Sequence, residues 1–214
     1  AGATSVGIHL INKAIHISAT MDHLLKPASE TFYDWKFGKI FYTKQGQGTP
    51  LLLIHDLNTS SSEYEWKKIV SMLSEYRTVY TLDLLGCGRS EKPNLTYTNY
   101  LYVQLINDFI KNVIKEKSDV VVTGQSSSFI LGACQNNKEN IDSIIMINPA
   151  DIYTTAHIPT NRSRILTKLI LLPLVGTLLY NILVRKENIE KLFRDYYFYD
   201  KSKIRHEETD WQRF

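Results

Sequence analysis

The chain has 214 residues, 43% of them apolar and 22% charged, which fits one domain with a sizeable core. The net charge of +3 is spread without a long basic run, so nothing calls for a nucleic-acid partner. The two cysteines, Cys87 and Cys134, have no metal-binding or C-x-x-C spacing. They read as free thiols of a reducing compartment, with one disulfide as the alternative. The sequence carries no motif for a metal or organic cofactor, and no internal repeat or low-complexity tract.

The first 30 residues stand apart. Ala1 to Ile11 is uncharged, and Ile11, Ala14, Ile15, Ser18, Ala19 and Met21 continue at roughly helical spacing. Two readings stay open. One is the remnant of a membrane-anchoring segment, which would make the protein membrane-associated. The other is an amphipathic helix on the domain, or a disordered end, of a cytoplasmic protein. Eleven residues cannot span a bilayer, which needs about 20.

From Thr31 the pattern becomes regular. Thr31 to Trp35 and Lys39 to Thr43 are aromatic and β-branched runs around Gly38, expected as a hairpin of edge strands. Leu51 to Ile54 is a continuous apolar run, as a strand covered on both faces requires. It ends in His55-Asp56-Leu57-Asn58. Glu63 to Glu75 has helical spacing, Thr78 to Leu82 is a further strand, and Tyr100 to Lys117 a long amphipathic helix. Val120 to Thr123 leads into Gly124-Gln125-Ser126-Ser127-Ser128 and a helix to about Asn136. Ile144 to Ile147 is another buried strand. Strands alternating with helices predict βαβ units, and hence an α/β fold with a mostly parallel sheet flanked by helices.

Beyond Asp151 the pattern changes. Ile165 to Val184 is strongly apolar, but Lys168, Pro173 and Asn181 interrupt it, so two short helices fit better than one membrane span. Asn188 to Tyr199 is amphipathic. The organisation expected is therefore an N-terminal helix or anchor remnant over 1–30, a core over 31–150 and a helical cap over 151–214.

Strand, sharp turn and helix with a serine at the turn is the setting of a nucleophile elbow. Backbones crowd there, so small residues are needed two before and two after the nucleophile. Ser126 is the register that meets this, with Gly124 before it and Ser128 after. Three turns now agree in order and spacing: His55-Asp56-Leu57-Asn58, Asp83-Leu84-Leu85-Gly86-Cys87-Gly88-Arg89-Ser90, and Gly124 to Ser128. Together they resemble the α/β-hydrolase superfamily, in its branch with a helical cap. The resemblance implies an enzyme, a serine hydrolase of esters, thioesters or amides. Ser126 would attack, and the N–H groups of Leu57 and Ser127 would hold the oxyanion. A serine at the elbow sets this chain apart from the dehalogenases and epoxide hydrolases of the superfamily, which use an aspartate there.

His55 reads as a structural support of its loop, and Asp56 stands where the family usually has glycine. The resemblance also implies an acid and a base after later strands, which this sequence does not supply. Asp151 reads as an acid or as a loop residue, and neither His157 nor His206 follows a strand. Two expectations remain open. Either the remaining strands lie outside this sequence, or the fold is a catalytically inactive scaffold binding a small ligand or a partner protein. The apolar cap residues, Leu171 to Tyr180, suggest a small apolar or acyl substrate, or simply a cap core. The oligomeric state is not readable.

Overall fold

The computed structural model describes residues 31–58, 61–151 and 161–170, with positions 10, 13, 172, 176–179 and 191. It divides into two compact units, Pro27–Ala156 and Ala1–Lys26 with His157–Phe214.

The first unit is built on a six-stranded sheet. Its strands are β1 (Thr31–Trp35), β2 (Gly38–Gln45), β3 (Pro50–Ile54), β4 (Thr78–Leu82), β5 (Ser118–Thr123) and β6 (Ile141–Ile147), in the order β1-β2-β4-β3-β5-β6. The hairpin of β1 and β2 pairs Thr31 with Tyr42 and Trp35 with Gly38. The expected edge position applies to β1 alone, because β2 also pairs antiparallel with β4. From β4 onward every pairing is parallel. Among the described residues β6 pairs only with β5, and Ile145 and Ile147 on it are exposed.

Side chains alternate across a strand, and the core follows that period of two. Leu52, Ile54, Tyr80, Leu82, Val120 and Val122 face one way, with α2 (Asn99–Phe109) and α3 (Ser126–Asn136) packed on them. Leu51, Leu53, Val79 and Val121 face the other way, against Trp66 and Val70 of the segment containing α1 (Lys67–Leu73). Both faces are covered, which is why β3 reads as an unbroken apolar run.

Helix boundaries differ from the sequence reading for local reasons. The segment from Glu63 starts as a 3₁₀ turn, capped by the Ser62 hydroxyl accepting from Tyr64 N, and becomes α-helical only at Lys67. The helix expected to reach Lys117 ends early. Its last turn, Ile110–Ile114, widens so that Lys115 N donates to Ile110 O, and Lys115 at φ 63° turns the chain toward β5. In the other unit, α4 (Asn161–Ile170) and helical residues 176–179 are described. No helix of the described residues is long and apolar enough to cross a membrane. The expected N-terminal helix, the segment around Pro173 and the helix over 188–199 lie outside the described residues, apart from single positions.

Phe109 is the centre of an aromatic cluster in the core. It is fully buried, and the rings of Tyr33, Tyr42 and Tyr80 meet it edge-on at 6.0, 5.3 and 6.4 Å. Phe109→Ala should cost about 3–5 kcal/mol in denaturant unfolding, the cavity and lost ring contacts together. The exposed Tyr76→Ala should stay within about 0.5 kcal/mol.

Acid should also act locally. Ser143 and Arg77 both bond the Asp119 carboxylate, joining β5 to β6 and to the start of β4, and hold it below its ordinary value of 3.8. A depressed carboxylate stabilises the fold above 3.8 and loses that contribution as pH falls through the folded value. Asp119→Asn should therefore flatten the loss of thermal stability below pH 3.8, by about 0.2–1 kcal/mol for a pair this exposed.

Candidate active site

The parallel strands β3, β4 and β5 end on one side of the sheet, where α/β folds place their ligands. The three motif-bearing turns meet there. His55, directly after β3, is fully buried. Leu84 N donates to its Nε2 at 3.0 Å, so Nδ1 carries the proton and donates to Asp56 O at 2.6 Å. A neutral imidazole with both nitrogens on backbone is a brace, as the sequence suggested, and has no nitrogen left for general-base work.

The turn after β4 is a brace as well. Asp83 is fully buried and accepts from Glu63 N at 2.6 Å, Arg89 N at 2.8 Å and Arg89 Nε at 3.4 Å. Arg89 pairs with Glu63 and lies 3.6 Å over the Phe41 ring. Burial raises the Glu63 pKa, with Arg89 opposing. Ser90 Oγ donates to Asp83 O and accepts from Phe41 N. Gly88, at φ 47°, has no room for a Cβ beside the Asp83 carboxylate. The Asp-x-x-Gly-x-Gly-x-Ser spacing is thus met by packing and charge pairing.

The turn after β5 differs from the sequence register. Its left-handed residue is Gly124, at φ 54°. Gln125, at φ −65° and ψ −25°, already has helical angles and caps α3, which Ser126 begins. The apex is therefore Gly124, and Ser126 is the small residue two places after it. Ser126 is fully buried, and its Oγ donates to His55 O at 2.7 Å. The Ser127 N–H is spent within the turn, on Gly124 O at 3.3 Å.

The N–H group that converges with that of Leu57 belongs to Gln125 instead. Both donate to one oxygen, Oδ1 of Asp56, Leu57 at 2.8 Å and Gln125 at 2.7 Å. Asn58 Nδ2 donates to Oδ2 at 3.3 Å. A Cβ built on Gly124 would overlap this carboxylate. Gln125 was not singled out by the sequence reading, which noted Asp56 only as a departure from the family's glycine. The available signal was Asp56 itself, a charged residue where glycine is usual.

A cavity of about 640 Å³ adjoins the site, with Leu57, Asn58, Gly86, Cys87, Tyr97 and Tyr102 among its lining. Burial pushes the Cys87 thiol up to about 12, Asp83 adding and Lys92 opposing, so it stays protonated and is no nucleophile. Asp151 is exposed after β6. His157 and His206 lie outside the described residues. No group of His, Cys, Asp and Glu among the described residues could hold a metal ion.

Residues 51–207 match the family described as the alpha/beta hydrolase family. A 2-hydroxy-6-oxo-6-(2'-aminophenyl)hexa-2,4-dienoic acid hydrolase of Metapseudomonas resinovorans is 26% identical over 54% of this chain and 41% of its own length. A cis-3-alkyl-4-alkyloxetan-2-one decarboxylase of Shewanella oneidensis is 28% identical over 78% of this chain and 51% of its own. The chain thus spans about half the length of these curated relatives. Among solved structures, a meta-cleavage product hydrolase from Pseudomonas fluorescens IP01 superimposes with a TM-score of 0.66 at 20% identity, over 86% of this chain and 62% of that one.

If Gly124 owes its place to the Asp56 carboxylate, the two positions are coupled. Gly124→Ala should destabilise through its φ, by about 1–2 kcal/mol, and further through collision with Asp56. With Asp56→Gly added, the total loss should fall short of the sum of the single losses by at least about 1 kcal/mol. Additivity in chemical denaturation would show that the two positions do not meet.

Proposed function

The chain belongs to the alpha/beta hydrolase family, and we propose that the protein is a hydrolase whose reaction runs where β3 and β5 end, over the N–H groups of Leu57 and Gln125. One observation carries this reading. Two backbone donors from separate loops converge on a single anionic oxygen at 2.8 and 2.7 Å. That is the arrangement needed to hold negative charge developing on a substrate oxygen, and removing one such donor typically costs about 2.7–4 kcal/mol of barrier. Two of the three relatives named above are hydrolases by name, in keeping with this class of reaction, and the third is a decarboxylase. The adjoining cavity, with Leu57, Tyr97 and Tyr102 in its wall, suits a small, largely apolar substrate.

The finer reading of an acyl-enzyme on Ser126 fits the site less well. Its hydroxyl would have to leave His55 O and reach the surface from a fully buried position. The same burial, with glycine at the apex, favours a second reading, a scaffold that binds a small ligand in the cavity without chemistry.

The test uses the full-length protein and a panel of p-nitrophenyl esters, terminal epoxides and primary haloalkanes. Gln125 already has a proline-compatible φ, so Gln125→Pro deletes its N–H, and Gln125→Ala controls for the side chain. The proline variant should lower kcat about 10²–10³-fold relative to the alanine variant, with near-UV circular dichroism unchanged. Equal rates would show that the Gln125 N–H takes no part in the reaction, and no turnover across the panel would favour the scaffold. A fluorophosphonate should leave Ser126 unmodified, and an adduct abolished by Ser126→Ala would restore the serine route.

A further inference from the structure

We infer that the two N–H groups form a carboxylate-binding seat whose occupant is the protein's own Asp56, so that the centre is held closed by a side chain which a ligand must displace. The inference rests on the reading of Leu57 and Gln125 as the donor pair of the centre. Three groups build the seat. Leu57 N and Gln125 N meet on Oδ1 at 2.8 and 2.7 Å, and Asn58 Nδ2 reaches Oδ2 at 3.3 Å. Both carboxylate oxygens are engaged, and a substrate oxygen would need the same two N–H groups. Hydrogen bonds to an ionised acceptor are roughly twice as strong as neutral ones, so a carboxylate holds this seat against water or a neutral carbonyl. Gly124 leaves the room for it, since a Cβ at that position would overlap the carboxylate.

The occupant can leave without dismantling the seat. The Asp56 backbone is held at both ends. Its N–H donates to Glu65 Oε2 at 3.0 Å, and its carbonyl accepts from His55 Nδ1 at 2.6 Å. Gln125 is held by the start of α3. Rotation about the Asp56 side-chain bonds therefore frees both N–H groups where they stand, with no backbone movement. Asp56 is only partly buried, and two of its three partners, Leu57 and Asn58, line the 640 Å³ cavity. A ligand in the cavity thus meets the seat through those two residues. The ligand class is a monocarboxylate, its head the size of acetate and any apolar remainder in the cavity. Apparent affinity for such a ligand is reduced by the fraction of molecules that are open. With the open form at about 1–10% of molecules, removing the Asp56 carboxylate strengthens apparent binding about 10–100-fold.

The test is an acetate titration of the full-length protein at constant ionic strength, read on the backbone amide resonances of Leu57 and Gln125, with neutral acetamide as the control. In Asp56→Ala both amides should shift together and saturate, with acetate bound about tenfold tighter, or more, than by wild type. Acetamide should move neither. Asp56→Asn keeps an acceptor oxygen for both donors, so it should fold as wild type does and bind acetate with an affinity between the other two. For any ester the protein turns over, KM should fall about 10–100-fold in Asp56→Ala, which a merely structural loss does not produce. Equal acetate binding by wild type and Asp56→Ala overturns the inference, and so does no binding by either variant. If the variants bind no acetate while Gln125→Pro slows turnover, the centre stands and the role of Asp56 falls. If Asp56→Ala binds acetate but nothing in the panel is hydrolysed, the carboxylate seat stands and the hydrolase reading falls.

Discussion

Two N–H groups from different loops meet on one carboxylate oxygen, and the shape of the site depends on that meeting. Asp56 lies on the turn after β3, and Gln125 on the turn after β5. Hydrogen bonds to a charged acceptor contribute about 1.5–3 kcal/mol each. Two of them on Oδ1 fix the distance between the turns. The fixed distance leaves space for no side chain at residue 124, and glycine is the residue that also tolerates the left-handed φ of the apex. The same closeness brings Ser126 against the end of β3, where its hydroxyl satisfies the His55 carbonyl.

The surrounding polar groups hold that arrangement still. His55 spans from its own turn to the turn after β4, and Asp83 gathers donors from Glu63 and Arg89. Both side chains are fully buried, and both have their hydrogen-bonding atoms engaged. A buried polar group left without a partner would cost about 1–3 kcal/mol, so substitutions here should loosen the turns before they touch chemistry. Rigidity of this kind is what a pre-organised donor pair needs, because its value lies in not having to move when charge develops.

The sheet was legible in the residues. Runs such as Leu51 to Ile54 and Val120 to Val122 identify strands covered on both faces, and the three turns identify the family without any coordinates. The centre was less legible. Small residues at the elbow favour Ser126 as the apex over Gly124, which has Val122 two places before it. The sign of φ decides between them, and it is set by a contact with Asp56, 68 positions earlier in the chain. A rule that looks for a hydroxyl selects Ser126, although serine also satisfies the need for a small residue after the apex. The end of α2 was hidden for a similar reason. Apolar spacing continues through Ile114, while the widened last turn and left-handed Lys115 answer to the entry into β5.

The most direct measurement is a through-hydrogen-bond scalar coupling in the full-length protein, between the amide nitrogen of Gln125 and the carboxyl carbon of Asp56. A coupling detected in wild type and absent in Asp56→Gly would establish that this carboxylate occupies the donor pair. No coupling, with the Gln125 amide resonance unmoved by Asp56→Gly, would contradict the account and return the centre to the serine on the helix.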